Sequence, residues 1–347
     1  MNMYAPVDQG GELWRQAKVA RELGSPFIAA VLEAGQRQLL RAPRTADLIA
    51  NWPRDPSASA LAMRFNAALH ALARQGEPAG LHALYQREHD DFDGAVGGAM
   101  AAKDAFIAEW MRETPQTNEV GRSAAIAAAL MVASRQFGLP FELLEMGSSC
   151  GLNLNLHRYG YDLGGLRAGV AESPVQVAPI WYGPSPQPAP VEVVSARGVD
   201  LNPLDASDPA THERLLSFVW ADQPARARRL EQALALAQAE PPRIEQGNAV
   251  SWIAERLVEQ QAAGVCRVVL HSMVLQYFSA EDRAAVMGAV RAAGGGATRD
   301  RPLARIGFEW TPSRSEVELT LTMWPTGETR LLATCHAYGN WIEWHDT

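Results

Sequence analysis

Up to about Gln136 the apolar residues recur at intervals of three and four, and no run alternates apolar with polar. That spacing stacks apolar side chains on one face of a helix, so this part of the chain is expected to be helical. The stretch "SPFIAAVLEAGQRQLL" opens with Ser25 as N-cap and Pro26 in the first helical position, and Ile28, Val31, Leu32 and Leu39 fall close to helical spacing. "SALAMRFNAALHALARQG" repeats the pattern and stops at Gly76, a C-cap. "AMAAKDAFIAEWMRE" and "SAAIAAALMVASRQFG" follow.

After Gly138 the pattern changes. "FELLEM" reads as a strand, and "PVEVVSARGVDLNP", "PRIEQGN" and "CRVVLHSMVLQYF" each contain another. "RLLSFVWADQPARARRLEQALALAQ", "AVSWIAERLVEQQAA" and "AEDRAAVMGAVRAA" are helical stretches between the strands. Strands alternating with helices predict a parallel sheet covered on both faces. "PLARIGFEW", "EVELTLTMW" and "TRLLATCHAY" add three strands, the last two joined by "PTGE" as an antiparallel hairpin. The expected fold is therefore α/β: an all-α N-terminal domain over residues 1–137, then a mostly parallel sheet with a C-terminal antiparallel hairpin over 138–347. A Gly-, Pro- and aromatic-rich insertion at about 157–190 has the character of a loop that shapes a substrate site.

The bulk numbers narrow the function. A chain of 347 residues with 47% hydrophobic and 20% charged residues has ordinary globular composition. Its net charge of -8 argues against a general nucleic-acid binder. Three widely spaced cysteines without a C-x-x-C pair support neither a zinc ribbon nor a disulfide framework, and fit a reducing cytoplasm. No signal peptide is expected at the N-terminus, and the longest apolar run, Ala124–Ala133, is too short for a membrane span. "HDDFDG" partly matches a calcium loop, but Ala95 and Gly97 break the ligand pattern, so no metal site is expected.

The candidate chemistry centres on "FELLEMGSSCGLNLN", a strand, a tight turn and a helix start. Gly147-Ser148-Ser149-Cys150-Gly151 satisfies G-x-S-x-G, the nucleophile elbow of serine hydrolases. It also fits a loop that lets a nucleotide-like cofactor approach the backbone, with Ser149 in place of a glycine. The hydrolase reading would draw on Asp200 and on His271 or His336, but its strand normally follows several others and here it is the first. The cofactor reading gains at each strand end. Glu145 closes the first strand, Asp200 lies past the second for ribose hydroxyls, Asn248 past the third for an adenine edge, and His271 and Ser272 past the fourth.

On these matches the region from Phe141 onward resembles a class I S-adenosylmethionine-dependent methyltransferase. The resemblance rests on Glu145, Gly147, Gly151, Asp200, Asn248, "LHSMVLQYF" and the terminal hairpin. It implies a Rossmann-like methyltransferase-type domain with S-adenosylmethionine as cofactor, held by Glu145, Gly147, Ser149, Gly151, Asn153, Asp200, Asn248 and Ser272. Two positions depart from that pattern: Ser149 stands for glycine and Asn248 for aspartate. The chain is also similar over most of its length to an uncharacterised bacterial family, domain of unknown function number twenty-three thirty-two. That likeness is carried by "QTNEVGRSAA", "LLEMGSSCGLNLNLHRYGYDLGG", "ARGVDLNPLDASDP", "VVLHSMVLQYF" and "CHAYGNWIEWH".

Each candidate has a plainer reading beside the functional one. Gly147 and Gly151 cradle a cofactor or merely permit a tight turn; Ser149 contacts the cofactor or caps a helix. Asp200 binds ribose or caps the Asx-rich turn that follows. His271 is the best general base, with Tyr277 and His336 as further catalytic candidates, and each also reads as a packed side chain. Asn118, Glu119 and Arg122 in "TNEVGR" form either a substrate site with a guanidinium for an anion or a helix start with a cap and an ion pair. Arg158 and Tyr159 line a substrate pocket or anchor the insertion. The expected function is S-adenosylmethionine-dependent methylation of a small molecule, the helical domain capping the cleft. The alternatives are a non-catalytic or regulatory binding protein on that fold, and a serine hydrolase using Ser149.

Overall fold

In the computed structural model, residues 11–53, 55–57, 59–113 and 115–346 are described. The helices are, in chain order, α1 (Glu12–Glu22), α2 (Pro26–Arg37), α3 (Pro43–Ala50), α4 (Leu61–Arg74), α5 (Ala79–Tyr85), α6 (Phe92–Arg112), α7 (Ser123–Phe137), α8 (Pro209–Phe218), α9 (Pro224–Ala239), α10 (Ala249–Val258) and α11 (Ala280–Gly295). The strands are β1 (Phe141–Met146), β2 (Gly160–Leu163), β3 (Leu166–Gly169), β4 (Gln176–Val177), β5 (Ile180–Tyr182), β6 (Val193–Asp200), β7 (Arg243–Gln246), β8 (Cys266–Ser272), β9 (Leu303–Trp310), β10 (Val317–Trp324), β11 (Glu328–Cys335) and β12 (Trp341–Trp344).

The chain divides into two compact units. One runs to Thr117 and takes in Pro209–Arg228; the other joins Asn118–Asp208 to the chain from Arg229 onward. The first is helical, and α8 packs in it against α4. The division thus falls after Thr117 rather than at 137/138. Helix α7 belongs with the sheet, for a reason its composition explains. Every position from Ser123 to Ser134 is buried, so α7 is apolar all round and needs cover on more than one side. Its C-terminus is closed by Gly138 in the left-handed region (φ 64°).

The large sheet runs β5-β12-β11-β10-β9-β8-β1-β6-β7. Strands β7, β6, β1, β8 and β9 are mutually parallel. The pairs β9–β10, β10–β11 and β11–β12 are antiparallel, and β5 joins β12 in parallel at the edge. The expected terminal hairpin is present, but as part of a four-strand meander that includes "WIEW". The helix start expected after the first turn is a seven-residue 3-10 helix, Leu152–Arg158. Two other expectations change. The stretch expected as one helix over 214–238 is two, α8 and α9, the second opening at Pro224. His336 lies in the turn after β11, not within a strand. The insertion folds as the hairpin β2–β3 with β4 beside β2.

Register fixes what each face carries. Met146 pairs with His271 and Glu145 with Leu270, so these two pairs point to opposite faces. One face buries Leu144, Met146, Val199 and Val269 against Trp252 and Ile253 of α10 and Val286 and Val290 of α11. Each such buried aliphatic side chain stabilises the fold by roughly 1.5–3 kcal/mol. The other face carries Glu145 and Phe308, and α7 packs on it over β9, β10 and β11. Strand order reverses between β1 and β8: the chain goes from β1 outward to β6 and β7, then returns to β8 and β9. Crevices at the carboxyl ends of strands at such a point are where open α/β sheets bind ligands.

Candidate functional site

The turn after β1 is wired from within. Gly147 N and Ser148 N donate to Val199 O (2.9 and 3.1 Å), and Gly151 N donates to Ser148 O (2.7 Å). Ser149 N donates to the Asp200 carboxylate (2.9 Å) and Cys150 N to Asn118 Oδ1 (3.3 Å). All five amides from Gly147 to Gly151 are therefore engaged by the protein. Gly147, Ser149 and Gly151 hold φ of 69°, 54° and 70°. A Cβ on Gly147 would sit 2.5 Å from Val274, and one on Gly151 2.7 Å from Pro242. Both glycines are thus required by backbone and packing. Gly147→Ala is expected to cost at least about 1–2 kcal/mol from the left-handed conformation alone, before any displacement of Val274. Urea unfolding of the two proteins measures it.

Glu145 ends β1 and is 2% exposed. Asn153 Nδ2, from the 3-10 helix, donates to Glu145 Oε1 (2.8 Å), and Glu145 Oε2 has no hydrogen-bond partner. Burial pushes this carboxyl up to about 8; the Asn153 hydrogen bond and the Arg122 charge oppose the rise, and Asp200 adds to it. The Ser149 hydroxyl, also buried, has no partner either. Asp200, on the same face as Glu145, accepts from Asn202 N (2.9 Å) as well as from Ser149 N. Arg122 is buried, donates from Nε to Ala337 O (2.9 Å) and from Nη1 to Ser272 Oγ (3.4 Å), and lies over the Phe308 ring (5.9 Å). The segment carrying it approaches the 336–339 turn closely: a Cβ on Gly339 would lie 2.4 Å from the Gly121 carbonyl carbon. These contacts bring Asn118, Arg122, Glu145, Gly147, Ser149, Gly151, Asn153, Asp200 and Ser272 together at the carboxyl ends of β1, β6 and β8.

Other candidates lie elsewhere or are otherwise engaged. His271 is buried on the α10/α11 face, across the sheet from Glu145, and its Nδ1 pairs with Glu309 Oε1 (2.9 Å). Glu309 also accepts from Val274 N and Leu275 N (3.2 and 3.4 Å), so it anchors the segment after β8. Asn248 is exposed, and its side chain caps α10 through Val250 N (2.8 Å). Tyr277 sits half-exposed in the 3-10 turn Leu275–Tyr277. His336 is buried and accepts from Tyr338 N through Nδ1 (3.1 Å). Glu119, not Asn118, caps the 3-10 turn Val120–Arg122 by accepting from Gly121 N (3.0 Å), and it forms a largely buried pair with Arg229 (3.3 Å) rather than a surface one. Arg158 pairs with Glu240 (3.0 Å). Tyr159 is fully buried and donates to Leu152 O (2.5 Å), which makes it an anchor of the 3-10 helix.

Two participants escaped the sequence reading. Glu309 closes the fifth parallel strand, and the strand-end logic that found Glu145 and Asp200 would have found it too. Ala337 contributes only its carbonyl, which leaves no signal in side-chain identity. A hydrolytic triad is not assembled, since no histidine hydrogen-bonds Ser149 Oγ. Among the described residues no group of three or more His, Cys, Asp or Glu side chains could hold a metal, and no helix is long and apolar enough to cross a membrane.

No curated protein and no solved structure matches the chain. Residues 12–344 match the family described as an uncharacterized protein conserved in bacteria (DUF2332), and the chain belongs to that family.

Proposed function

We propose that the second unit binds S-adenosylmethionine at the carboxyl ends of β1, β6 and β8, and that the protein methylates a small molecule. The observation that carries this reading is Glu145: a buried carboxyl with one oxygen unpartnered, at the switch point of a parallel sheet. Such an atom is costly in a protein alone and is satisfied by a ligand donor. The chemistry of the surrounding groups narrows the choice. With all five turn amides used internally, the loop offers no cradle for a pyrophosphate. S-adenosylmethionine has no phosphate and carries an ammonium, a carboxylate and two ribose hydroxyls.

In this reading Glu145 takes the ammonium, Ser149 Oγ the carboxylate and Asp200 the ribose hydroxyls, while Arg122 and Ser272 line the crevice. The cofactor supplies a methyl group on a sulfonium centre. The protein's part is alignment and exclusion of water, which can supply roughly 7–11 kcal/mol. His271, paired with Glu309 on the far face, is not proposed as the base; it holds the segment after β8 in place. With three free buried thiols, the reading assigns the protein to a reducing cytoplasm.

A non-catalytic binding protein would share this site and differ only in turnover. The hydrolase reading has the left-handed backbone of Ser149 in its favour but no base at its hydroxyl. S-adenosylhomocysteine at about 100 times its Kd is expected to raise stability by about 2.7 kcal/mol, seen as a higher thermal midpoint. An unmoved midpoint at saturating ligand rejects the reading; labelling of Ser149 by a fluorophosphonate would replace it with the hydrolase.

A further inference from the structure

A cavity of about 570 Å³ opens in the second unit, beneath the insertion. Its floor is made by Ala127 and Met131 of α7, Leu156 of the 3-10 helix and Tyr161 of β2, all buried. Its mouth includes Val170, which is 45% exposed, and the Pro188–Val191 segment. Cavities of roughly 300–1,000 Å³ with apolar walls and few polar groups are the usual form of small-molecule sites. The floor has features that suit a variable guest: α7 presents only an alanine at 127, and Met131 is flexible and polarizable.

Three side chains with polar groups meet the cavity. Arg167 stands at the rim and is paired with Asp162 (3.3 Å), so the rim carries little net charge. His157 lies in the wall; its buried Nδ1 makes no well-formed hydrogen bond, and the Leu154 carbonyl is the backbone group that bears on the ring. Burial, and then the neighbouring Arg158 charge, hold the imidazole below its ordinary range, so at neutral pH it offers a hydrogen bond rather than a charge. Tyr161 is not available for this, since its hydroxyl donates to Leu156 O (2.7 Å).

We propose that this cavity is a second binding site, for a neutral and mainly apolar small molecule bearing one hydroxyl or carbonyl group, which His157 orients. The inference does not rest on the cofactor reading, because it uses none of the residues assigned to that site. The same 3-10 helix carries Asn153 to Glu145 and His157 to the cavity.

The test uses 1-naphthol and naphthalene as probes, titrated into the full chain and followed by tryptophan fluorescence. Wild type is expected to bind 1-naphthol saturably at one site, more tightly than naphthalene by about three- to tenfold, the range of one net hydrogen bond. Ala168→Trp, on the edge strand β3 that faces Tyr161, is expected to weaken both probes at least tenfold by filling the cavity. His157→Phe is expected to keep naphthalene binding and abolish the preference for 1-naphthol. Circular dichroism checks folding, and should Ala168→Trp misfold, His157→Phe decides. Absence of saturable binding to wild type, or a preference for 1-naphthol that survives His157→Phe, overturns the proposal. S-adenosylmethionine titrated into the same proteins reports the other site separately.

Discussion

Replacing Glu145 with glutamine is expected to make the protein more stable at pH 9 and to flatten its stability profile between pH 4.5 and 8. In the unfolded chain this carboxyl titrates near 4.5 and in the folded protein near 8. Between those values the folded state holds a proton that the unfolded state has released, so stability falls as pH rises, and levels off above 8. The fall is about 1.4 kcal/mol for each pH unit crossed. Glutamine keeps the acceptor for Asn153 and cannot ionise, so the two proteins should be similar near pH 5 and diverge by several kcal/mol by pH 9. Urea unfolding at pH 5, 7 and 9 measures this. A stability difference that is the same at all three values contradicts a buried, protonated Glu145.

Arg122→Met is expected to cost about 1.5–3 kcal/mol, the range for hydrogen bonds to a charged group. Methionine retains an apolar stem over Phe308 but strips Ala337 O of its guanidinium donor and removes the contact with Ser272. A second signature separates this from a general packing defect. The Arg122 charge holds the Glu145 carboxyl down, so its loss should move the titration of Glu145 upward. The pH dependence of Arg122→Met should therefore extend higher than that of wild type. In the Glu145→Gln background the same substitution should lose its pH dependence while keeping its hydrogen-bond cost. Equal profiles in the two backgrounds would show that Arg122 and Glu145 do not interact.

Much of the second unit is legible in the sequence because buried parallel strands are short apolar runs bounded by turn residues. "FELLEM", "CRVVLHS" and "LARIGFEW" are β1, β8 and β9 nearly to the residue. The helix start at Leu152 is a 3-10 helix, and Leu152, Leu154 and Leu156 recur at two, a spacing that an α-helix does not place on one face. What the sequence hides is the side of the sheet. A strand apolar on both faces gives no alternation to read, so His271 and Ser272, adjacent in the chain, were assigned to one crevice when the pleat sends them to opposite faces. Long-range approach is hidden as well. Gly121 and Gly339 lie far apart in sequence, and only their contact explains why Arg122 reaches Ala337. Asp200 shows the plainer of its two readings, capping the Asx-type turn at Asn202, and adds a contact to Ser149 N that the sequence does not signal.

The site at the β1–β8 switch point is tested most directly by isothermal titration of S-adenosylmethionine into wild type at pH 7, in buffers of different ionisation enthalpy. The account predicts saturable binding with release of close to one proton, because the ligand ammonium would ionise a Glu145 carboxyl that is mostly protonated at that pH. In Glu145→Gln the proton release should vanish and the affinity fall. No binding to folded wild-type protein, or binding whose heat is independent of the buffer, would contradict the account.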